Sequence, residues 1–409
     1  MVFGFHHSHP RLLYRKRDSL ADEWDGGSMR VMLTGGGTAG HINPALAIAE
    51  TVRCNCPDAE ILFVGIKGGK EDDLVVREGY NLEHVRSMGL GKPLSTETIK
   101  ALWLALCSPY FKDTTGLLDS FKPDIVIGTG GYACWPIMAA AARRGIPTAL
   151  HESNAVPGVA IKQLQRRVDR VWINFEETRK HLKVRKKVYR VGNPIRGAFG
   201  TVSKKAAREK LGIGTDEFYV LSFGGSLGAE YVNEAMLDAM KILAERDPRM
   251  RFLHASGKRD YDNCRARFEA MGLDQIPGCN LSEYIYDMPL QMTAADLIVC
   301  RAGAMTLTEI AAMKKTAILV PSPYVAYNHQ YYNAKALSDA GEPWRCTTDD
   351  CRQRRETEAN LSSGLLTQTI EELASDDCRR AQMEAQIGGF AAKDANKEIW
   401  EQILEMIGK

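Results

Sequence analysis

The chain has 409 residues, of which 44% are hydrophobic and 25% are charged. This composition is normal for a soluble globular protein, and the length is too great for one ordinary hydrophobic core, so we expect two domains. The net charge of +2 gives no bulk attraction to nucleic acid, and no nucleic-acid partner is predicted. The sequence contains no run of about 18 apolar residues, which argues against a membrane-spanning helix.

Residues 1–28 differ from the rest of the chain. They contain three histidines and a basic cluster but no apolar segment long enough for a secretory signal. We interpret them as a disordered extension. A misassigned start codon is the alternative, because Met29 immediately precedes the first predicted strand.

No metal site is predicted from the sequence. The ten cysteines form no C-x-x-C pair and no His-spaced metal pattern, so they are interpreted as reduced residues of a cytosolic protein. The acidic pairs Asp72-Asp73 and Asp349-Asp350 fall in helical or exposed polar contexts rather than at the end of a strand.

From Met29 onwards, short apolar runs alternate with helical segments, which is typical of buried parallel strands joined by crossover helices. In the first half, a helix is predicted over Asn43–Cys54 and strands are predicted at 30–34, 61–66, 125–127 and 147–150. In the second half, strands are predicted near 218–223, 251–255, 297–300 and 317–320. The pattern therefore predicts an α/β protein.

The pair Asn193-Pro194 is a natural boundary between these halves, because proline ends the preceding element and stiffens the connection. We predict an N-terminal domain over 29–192 and a C-terminal domain over 193–388. Both are expected to be doubly wound and Rossmann-like, with a ligand cleft between them. Residues 389–409 are predicted to form a helix that packs back on the N-terminal domain.

Each half contains a glycine-rich loop directly after an apolar strand. The first loop runs from Gly35 to His41, and the second runs from Gly224 to Ala229. Glycines let the backbone approach a ligand closely, and the next helix presents unpaired N–H groups with a partial positive charge. Each loop is therefore interpreted as a diphosphate cradle, and the pair indicates sugar-nucleotide chemistry.

The first loop also fits G-x-G-x-x-G, the fingerprint of nicotinamide-dependent dehydrogenases, through Gly35, Gly37 and Gly40. The second predicted strand, however, is followed by Ile66-Lys67 instead of the acidic residue that would hold the ribose hydroxyls. The dehydrogenase interpretation is therefore disfavoured.

Six motifs stand in a characteristic order along the chain: Gly36-Gly37-Thr38-Ala39-Gly40-His41, Gly130-Gly131-Tyr132, His151-Glu152-Ser153-Asn154, Gly192-Asn193-Pro194-Ile195-Arg196, Gly224-Gly225-Ser226-Leu227-Gly228-Ala229 and Cys300-Arg301-Ala302-Gly303-Ala304. In these motifs the chain resembles the MurG family, the peptidoglycan glycosyltransferases that add N-acetylglucosamine to lipid I. The resemblance runs from about Met29 to the C-terminal helix.

The resemblance implies a GT-B fold and an inverting transfer. The donor would be UDP-N-acetylglucosamine, the acceptor the undecaprenyl-diphosphate-linked muramyl pentapeptide (lipid I), and the product lipid II. It implies no required cofactor and leaves open stimulation by a divalent cation. It also implies a peripheral location on the cytoplasmic face of the cell membrane, with other cell-wall synthesis proteins as further candidate partners.

The resemblance assigns a donor site residue by residue. It places Glu309 on the ribose hydroxyls and Ile285 near the uracil. It places Ser226 and Arg196 on the diphosphate. It places Asn154 and Gln330 on the sugar. The implied donor-binding residues are Thr38, Ala39, Gly40, Asn154, Arg196, Ser226, Ile285, Ala304, Met305, Thr306, Leu307, Thr308, Glu309 and Gln330.

Two residues depart from the family pattern. Ala39 replaces a glycine, which would be strained if that position needed a positive φ. His329 replaces the first glutamine of a Gln-Gln pair, so the identity of the donor sugar is less secure than the class of donor.

His41 is the predicted catalytic residue. It stands at the junction between the first glycine loop and the next helix, where a base of near-neutral pKa would face the cleft. A histidine that only hydrogen-bonds the loop is the alternative, and the resemblance favours the catalytic interpretation. A nearby carboxylate that shares the role of general base is left open.

Some assigned residues also have a purely structural interpretation. Thr306 and Glu309 fit a capping box, Thr-x-x-Glu before an apolar helix. Ile285 fits an ordinary buried strand residue, and Arg196 fits a solvated surface charge.

An apolar segment at 99–107, with lysines around it, is predicted to contact the membrane. Apolar residues with a basic rim suit an anionic cytoplasmic leaflet, whereas a core helix is the alternative. The residues that share one helical face in this membrane patch are Ile99, Leu102, Trp103 and Leu106.

Three functional alternatives remain beside the MurG-like transferase. A GT-B transferase with another lipid or sterol acceptor would keep the nucleotide loops. A non-catalytic nucleotide-sugar binding subunit would be expected to lack an equivalent of His41, which is present. A UDP-sugar epimerase can share the fold but would not explain the apolar and basic segment.

Overall fold

The structure is a computed structural model, and it describes residues 28–85, 109–197, 199–225, 227–338, 361–388 and 394–408. Apart from Ser28, the predicted N-terminal extension lies outside these ranges. The predicted membrane patch, Ile99, Leu102, Trp103 and Leu106, also lies outside them. Both therefore stay predictions.

The first half of the chain forms a parallel sheet from the strands β1 (Arg30–Gly35), β2 (Glu60–Gly65), β3 (Asn81–His84), β4 (Ile125–Gly130), β5 (Thr148–Glu152), β6 (Arg170–Ile173) and β7 (Val188–Arg190). Within the described residues, their spatial order is β3-β2-β1-β4-β5-β6-β7. Met32 of β1 pairs with Leu62 on one side and Val126 on the other. Such apolar strands are buried on both faces because crossover helices cover the sheet.

The helices of this half are α1 (Ala39–Asn55), α2 (Glu71–Arg77), α3 (Pro109–Phe121), α4 (Cys134–Arg143) and α5 (Val159–Leu164). A short 3-10 helix covers Glu176–His181. Ile42, Leu46 and Ile48 of α1 pack into one hydrophobic cluster with the first sheet. This packing places the start of α1 at the carboxyl end of β1.

The second half forms a smaller parallel sheet from the strands β8 (Phe218–Phe223), β9 (Met250–Ala255), β10 (Cys279–Ser282), β11 (Leu297–Cys300) and β12 (Ala317–Leu319). Among the described residues its order is β10-β9-β8-β11-β12. Its helices are α6 (Lys204–Leu211), α7 (Glu230–Arg246), α8 (Tyr261–Ala270), α9 (Met288–Ala294), α10 (Ala304–Ala312), α11 (His329–Ser338), α12 (Ser363–Ser375) and α13 (Asp377–Gly388). Short 3-10 helices cover Leu273–Gln275 and Ala326–Asn328.

The last helix, α14 (Ala395–Met406), packs against the first sheet rather than the second. Ile399, Trp400 and Ile403 are buried in the cluster that contains β1. An ion pair of 2.8 Å between Arg170 and Glu405 adds a polar contact at the edge of this packing. The chain therefore crosses from the first sheet to the second and returns. The domain bounds at 192 and 388 stay predictions.

Two parallel sheets flanked by helices confirm the predicted α/β fold with two Rossmann-like halves. The structure adds four strands that were not predicted from the apolar runs: β3, β6, β7 and β10. The helix predicted from Asn43 begins earlier, at Ala39, with Thr38 in extended conformation as its cap residue. No helix in the described ranges is long and apolar enough to cross a bilayer.

Candidate active site

The two glycine loops follow the interior strands β1 and β8 of their sheets. Open parallel sheets bind ligands beyond the carboxyl ends of their strands. The helix that follows the first loop, α1, packs against α10 of the second half. The candidate site therefore lies beyond the carboxyl ends of the two sheets, where α1 and α10 are in contact.

A buried carboxylate supports the first loop. Glu71 is 1% exposed and accepts hydrogen bonds from the amides of Gly37 (3.2 Å) and Ile66 (3.0 Å). A Cβ at Gly36 would lie 2.5 Å from one of its oxygens, so the backbone approaches the acid more closely than any other residue would allow. The first loop thus differs from the predicted diphosphate cradle, because an acid already occupies its Gly37 amide.

His41 lies at the end of this loop, as predicted. Its Nδ1 lies 3.3 Å from the carbonyl oxygen of Gly36 and 3.2 Å from the hydroxyl of Thr38. A carbonyl can only accept, so Nδ1 carries the proton and Nε2 keeps its lone pair. The edge of the ring faces Gly130, where a Cβ would lie 2.8 Å from Cδ2.

The surroundings of His41 favour the neutral form of its ring. Burial lowers the pKa of His41 below its ordinary value, the bond to Gly36 opposes this, and nearby His329 lowers it further. A neutral imidazole with a free Nε2 is the form that a general base needs. The geometry is compatible with catalysis, and the catalytic role itself stays a prediction.

Ala39 carries no backbone strain. It is the first residue of α1, and the positive φ of this loop belongs to Gly37 instead (+83°). Thr38 and Gly40 are exposed on either side of Ala39. The departure from the family pattern at this position is therefore compatible with the loop conformation.

The second loop packs against a neighbouring turn. A Cβ at Gly228 would lie 2.0 Å from the carbonyl oxygen of Ser256, and one at Gly257 would lie 2.1 Å from the amide nitrogen of Gly228. Arg301 donates a hydrogen bond of 3.2 Å to the carbonyl of Gly228. Ser226, the predicted diphosphate contact, lies outside the described residues.

The structural alternative for Thr306 and Glu309, a capping box, is wrong. α10 begins at Ala304, and Gly303 is its cap residue, so Thr306 already lies inside the first turn. Glu309 is therefore too far into the helix to return to the cap. The first turn of α10 includes the predicted residues Ala304 and Met305, which are both buried, and the first amides of a helix have no partner within the helix.

The other two predicted residues of this helix point inward. The side chain of Leu307 is fully buried in the core of the second half. The hydroxyl of Thr308 donates to the Ala304 carbonyl (3.0 Å) and accepts from the Asn193 side chain (2.9 Å). Thr308 thus fastens α10 to the crossing between the halves, and both residues support the site from behind.

Glu309 has the properties of a ligand-binding acid. In the described part of the chain no group donates a hydrogen bond to its carboxylate, and burial raises the pKa of Glu309 to about 8, with Arg196 opposing. A buried carboxylate without donors is costly unless a ligand supplies them. This supports the predicted contact with ribose hydroxyls.

Arg196 is paired with acids of the first half. Its guanidinium lies 2.6 Å from a carboxylate oxygen of Glu78 and 3.7 Å from one of Glu50, while the Gly197 amide donates to Glu50 at 3.1 Å. Arg196 is therefore not merely a solvated surface charge. Its predicted contact with the diphosphate requires the phosphate to compete with Glu78.

Asn154 is held from both halves. Its amide nitrogen donates to Glu152 (3.0 Å), and its carbonyl oxygen accepts from Asn333 (3.2 Å). Asn333 is fully buried and also accepts from the amide of Ala155 (2.9 Å). Burial raises the pKa of Glu152, and three donors from Asn154 and Gly158 oppose this. One N–H of Asn154 remains for the predicted contact with the sugar.

Gln330 and Ile285 are the remaining predicted residues, and both are buried. Gln330 is 9% exposed, and its carbonyl oxygen accepts from the Ser322 amide at 2.8 Å, which leaves its NH₂ group for a ligand. Ile285 is 5% exposed and packs in the core of the second half, as the structural alternative expected, although it lies in the loop after β10 rather than in a strand. Their ligand contacts stay predictions.

Sequence reasoning missed Glu71, Glu152 and Asn333 as residues that shape the site. Glu71 precedes two aspartates, so it resembles the start of a solvated helix, and no motif marks Asn333. Glu152 stands inside a family motif, which was a usable signal. The described residues contain no group of three or more His, Cys, Asp or Glu side chains arranged to hold a metal ion.

Two family models match the chain. The Glycosyltransferase family 28 N-terminal domain matches residues 31–173, and the Glycosyltransferase family 28 C-terminal domain matches residues 219–399. The first match covers the strands β1 to β6, and the second covers the strands β8 to β12 and continues into α14.

A curated relative from Acetivibrio thermocellus is 40% identical over 382 residues, which cover 93% of this chain and 98% of the relative. It is named UDP-N-acetylglucosamine--N-acetylmuramyl-(pentapeptide) pyrophosphoryl-undecaprenol N-acetylglucosamine transferase. The crystal structure of Acinetobacter baumannii MurG is similar with a TM-score of 0.68 and 25% identity, covering 92% of this chain and 99% of that one.

A UDP-GlcNAc 2-epimerase from Neisseria meningitidis, solved with UDP-GlcNAc, is similar with a TM-score of 0.61 but only 13% identity, covering 92% of this chain and 100% of that one. That likeness shows the fold alone. The sequence matches, by contrast, extend over both halves and nearly the whole length of the transferases. The chain therefore belongs to glycosyltransferase family 28, as a MurG-like enzyme with the two-domain GT-B fold.

Proposed function

We propose that this enzyme transfers N-acetylglucosamine from UDP-N-acetylglucosamine to lipid I, undecaprenyl-diphospho-N-acetylmuramoyl-pentapeptide, to form lipid II for peptidoglycan synthesis. The observation that carries the proposal is the match to a curated transferase of that name over 93% of this chain and 98% of the relative. The geometry of His41 supports it, because the bond from Nδ1 to Gly36 leaves Nε2 available to act as a base.

The reaction is a single displacement that inverts the sugar. The 4-hydroxyl of the acceptor forms a bond to C1 of N-acetylglucosamine while the bond from C1 to the UDP oxygen breaks. Nε2 of His41 accepts the hydroxyl proton, and the Nδ1 bond to Gly36 holds the ring in the required tautomer. The transition state is oxocarbenium-like, so the departing UDP also needs stabilisation.

The second half supplies that stabilisation. The loop at 224–229 and the first turn of α10 direct amide groups at the diphosphate, and Arg196 adds a cation once Glu78 releases it. Glu309 holds the ribose through hydrogen bonds that its buried carboxylate otherwise lacks. Asn154 and Gln330 read the sugar with one amide N–H group each.

The proposal is tested by incubating the purified protein with UDP-N-acetylglucosamine and a short-chain lipid I analogue. We expect release of UDP together with a disaccharide product, as measured by mass spectrometry. A reaction without acceptor is the control, because an epimerase would convert the donor alone. Absence of product with lipid I analogues of several chain lengths would reject the transferase function.

We also propose that the reaction needs no metal, because loop amides and a helix terminus can stabilise the leaving group. Activity is expected to persist in excess EDTA, and added Mg²⁺ is expected to stimulate by a few-fold at most. Complete loss in EDTA with recovery on Mg²⁺ addition would show that a bound cation is required.

We propose that the enzyme binds the membrane surface peripherally. A basic surface of the first half supports this: Arg166 and Arg167 follow α5, and the loop at 183–186 is exposed and rich in lysine and arginine. The buried side chain of Gln165 ties the two segments together by accepting from the amides of Lys183 (2.6 Å) and Val184 (3.3 Å). Each basic residue near an anionic lipid surface contributes about 1 kcal/mol.

Co-sedimentation with vesicles tests this attachment. We expect binding to vesicles that contain phosphatidylglycerol, little binding to neutral vesicles, and weakening by salt. Arg166→Glu with Arg167→Glu should reduce binding while soluble UDP binding stays normal. If the wild-type chain does not bind anionic vesicles, the attachment is rejected while the transferase assay remains unaffected.

A further inference from the structure

A buried chain of polar side chains lies directly below the second glycine loop. It runs from Ser222 at the end of β8 through His254 on β9 to Asn233 on α7, and all three are at most 1% exposed. The Ser222 hydroxyl lies 2.7 Å from Nδ1 of His254, and Nε2 of His254 lies 3.1 Å from Oδ1 of Asn233. These bonds tie two strands to the first turn of the helix that follows the loop.

The partners of Asn233 indicate the direction of these bonds. The side-chain nitrogen of Asn233 donates to the carbonyl of Ser256 (3.1 Å) and to the carboxylate of Asp260 (2.7 Å). Its Oδ1 is therefore an acceptor, so the His254 proton is on Nε2, and Nδ1 accepts from the Ser222 hydroxyl. Burial lowers the pKa of His254 to about 4, which keeps the ring neutral and preserves this order.

The chain of bonds ends on the backbone that supports the loop. Asn233 holds the carbonyl of Ser256, and that oxygen would lie only 2.0 Å from a Cβ at Gly228. On the other side, a Cβ at Gly257 would lie 2.1 Å from the Gly228 amide nitrogen. The two backbones are in direct contact, so any movement of 256–257 also moves Gly228.

We propose that Ser222, His254 and Asn233 are positioning residues for the donor. They fix the Ser256 carbonyl against Gly228 and so hold the amides of the loop at the distance that a diphosphate requires. None of them touches the donor in this arrangement, because all three lie under the loop. The inference rests on the proposed function, which assigns the diphosphate to this loop.

The test is calorimetric titration of UDP into the full-length protein. Asn233→Ala removes both donors to the turn and should weaken UDP binding about tenfold or more, since a buried hydrogen-bonding group then loses its partner. Ser222→Ala leaves Nδ1 of His254 without a donor and should weaken binding about threefold to tenfold. Ser222→Thr keeps the hydroxyl and should bind as the wild type does.

Kinetics and hydrogen exchange separate positioning from general damage. The KM for the donor should rise in parallel with the Kd for UDP, while the KM for the acceptor stays constant. Amide exchange in the peptide 224–229 should become faster while β1 and α1 exchange as before. Thr369→Val is the matched control, because it removes an equally buried hydroxyl, one that donates to the Leu365 carbonyl on α12.

The outcomes distinguish failure of the proposed donor site from failure of the positioning role. If the wild type does not bind UDP, the proposed donor site fails. If it binds and Ser222→Ala binds equally well with unchanged loop exchange, the positioning role is overturned. The same holds if Thr369→Val weakens UDP binding as much as Ser222→Ala does. If Asn233→Ala does not fold, the comparison of Ser222→Ala with Ser222→Thr decides the question.

Discussion

The two glycine loops have similar sequences but different supports. The carboxylate of Glu71 lies beneath the first loop and accepts a hydrogen bond from the amide of Gly37. Beneath the second is a neutral chain that includes His254 and Asn233. A carboxylate below the loop repels a phosphate, so the first loop is better suited to present a base. A neutral support has no such repulsion and leaves the loop amides available for an anion.

The comparison shows that two glycine-rich loops of similar sequence can rest on supports of different charge. The loop gives the backbone its conformation, and the side chain below it decides which ligand charge is tolerated. On the proposed function, the first loop presents His41 and the second loop binds the diphosphate. The following experiments separate the two assignments.

The largest effect is expected at the end of the first loop. His41→Ala removes the base and should lower kcat by about 10²–10⁴, while UDP affinity stays within a few-fold. Single-turnover kinetics beside a UDP titration measure the two quantities. Normal turnover in a folded variant would remove His41 from the mechanism.

The next comparison places the same methyl group in each half. Gly228→Ala puts a Cβ 2.0 Å from the Ser256 carbonyl at a φ of +85°, and it should weaken UDP binding by about 10-fold to 100-fold. Gly130→Ala puts a Cβ 2.8 Å from Cδ2 of His41 at a φ of +105°. It should lower kcat with UDP affinity retained.

Thermal melts must first show that both glycine variants fold. UDP titration and kcat are then measured on the same preparations. A loss of UDP affinity in Gly130→Ala, with retention in Gly228→Ala, would reverse the assignment of the two halves.

A third test concerns the acid of the second half. Glu309→Ala should raise the donor KM about tenfold, because loss of a hydrogen-bonding partner at a buried site costs roughly 1–3 kcal/mol. Steady-state kinetics with varied UDP-N-acetylglucosamine measure the effect. A stable variant with normal kinetics would show that Glu309 does not hold the ribose.

The same residue gives a pH dependence of stability. The pKa of Glu309 is about 8 in the folded protein and near its ordinary value of 4.5 when unfolded. Protonation therefore stabilises the fold fully below about pH 4.5, and this contribution is lost as the pH rises through 8. Glu309→Gln should raise the Tm relative to the wild type most at pH 8–9. Parallel Tm curves would contradict the burial of this acid.

The smallest effect is expected at His329. Burial is the main cause of the lowered pKa of His41, and nearby His329 lowers that pKa further. A base works when it is unprotonated, so a lower pKa extends activity to lower pH. His329→Gln should therefore move the acid limb of the kcat/KM profile upward by a fraction of a pH unit. A downward shift would show that His329 does not act on His41 through its charge.

The sequence predicts the interior of this fold better than its edges. Strands such as β1 and β8 are continuous apolar runs because helices cover both faces, and such runs are visible without a structure. β3 is Asn-Leu-Glu-His at the edge of its sheet, with mostly exposed side chains, so it has no apolar signal. Position in the sheet, rather than sequence alone, makes it a strand.

The candidate site divides in the same way. Residues that a ligand would touch stand in motifs, and His41 and Glu309 could be named from those motifs. Residues that hold the site together act across long distances in the chain, as when Asn333 bonds Asn154 and Ala155. No local pattern encodes such a contact. An asparagine in a polar helix is equally typical of a solvated face.

The return of α14 to the first sheet has a consequence for synthesis. Trp400 and its neighbours fill a core whose other members were translated more than 200 residues earlier. During synthesis on the ribosome, this apolar face of the first half stays uncovered until α14 emerges. Cutting the gene at Asn193-Pro194 would therefore not give two independent proteins: the N-terminal piece would lack a wall of its own core.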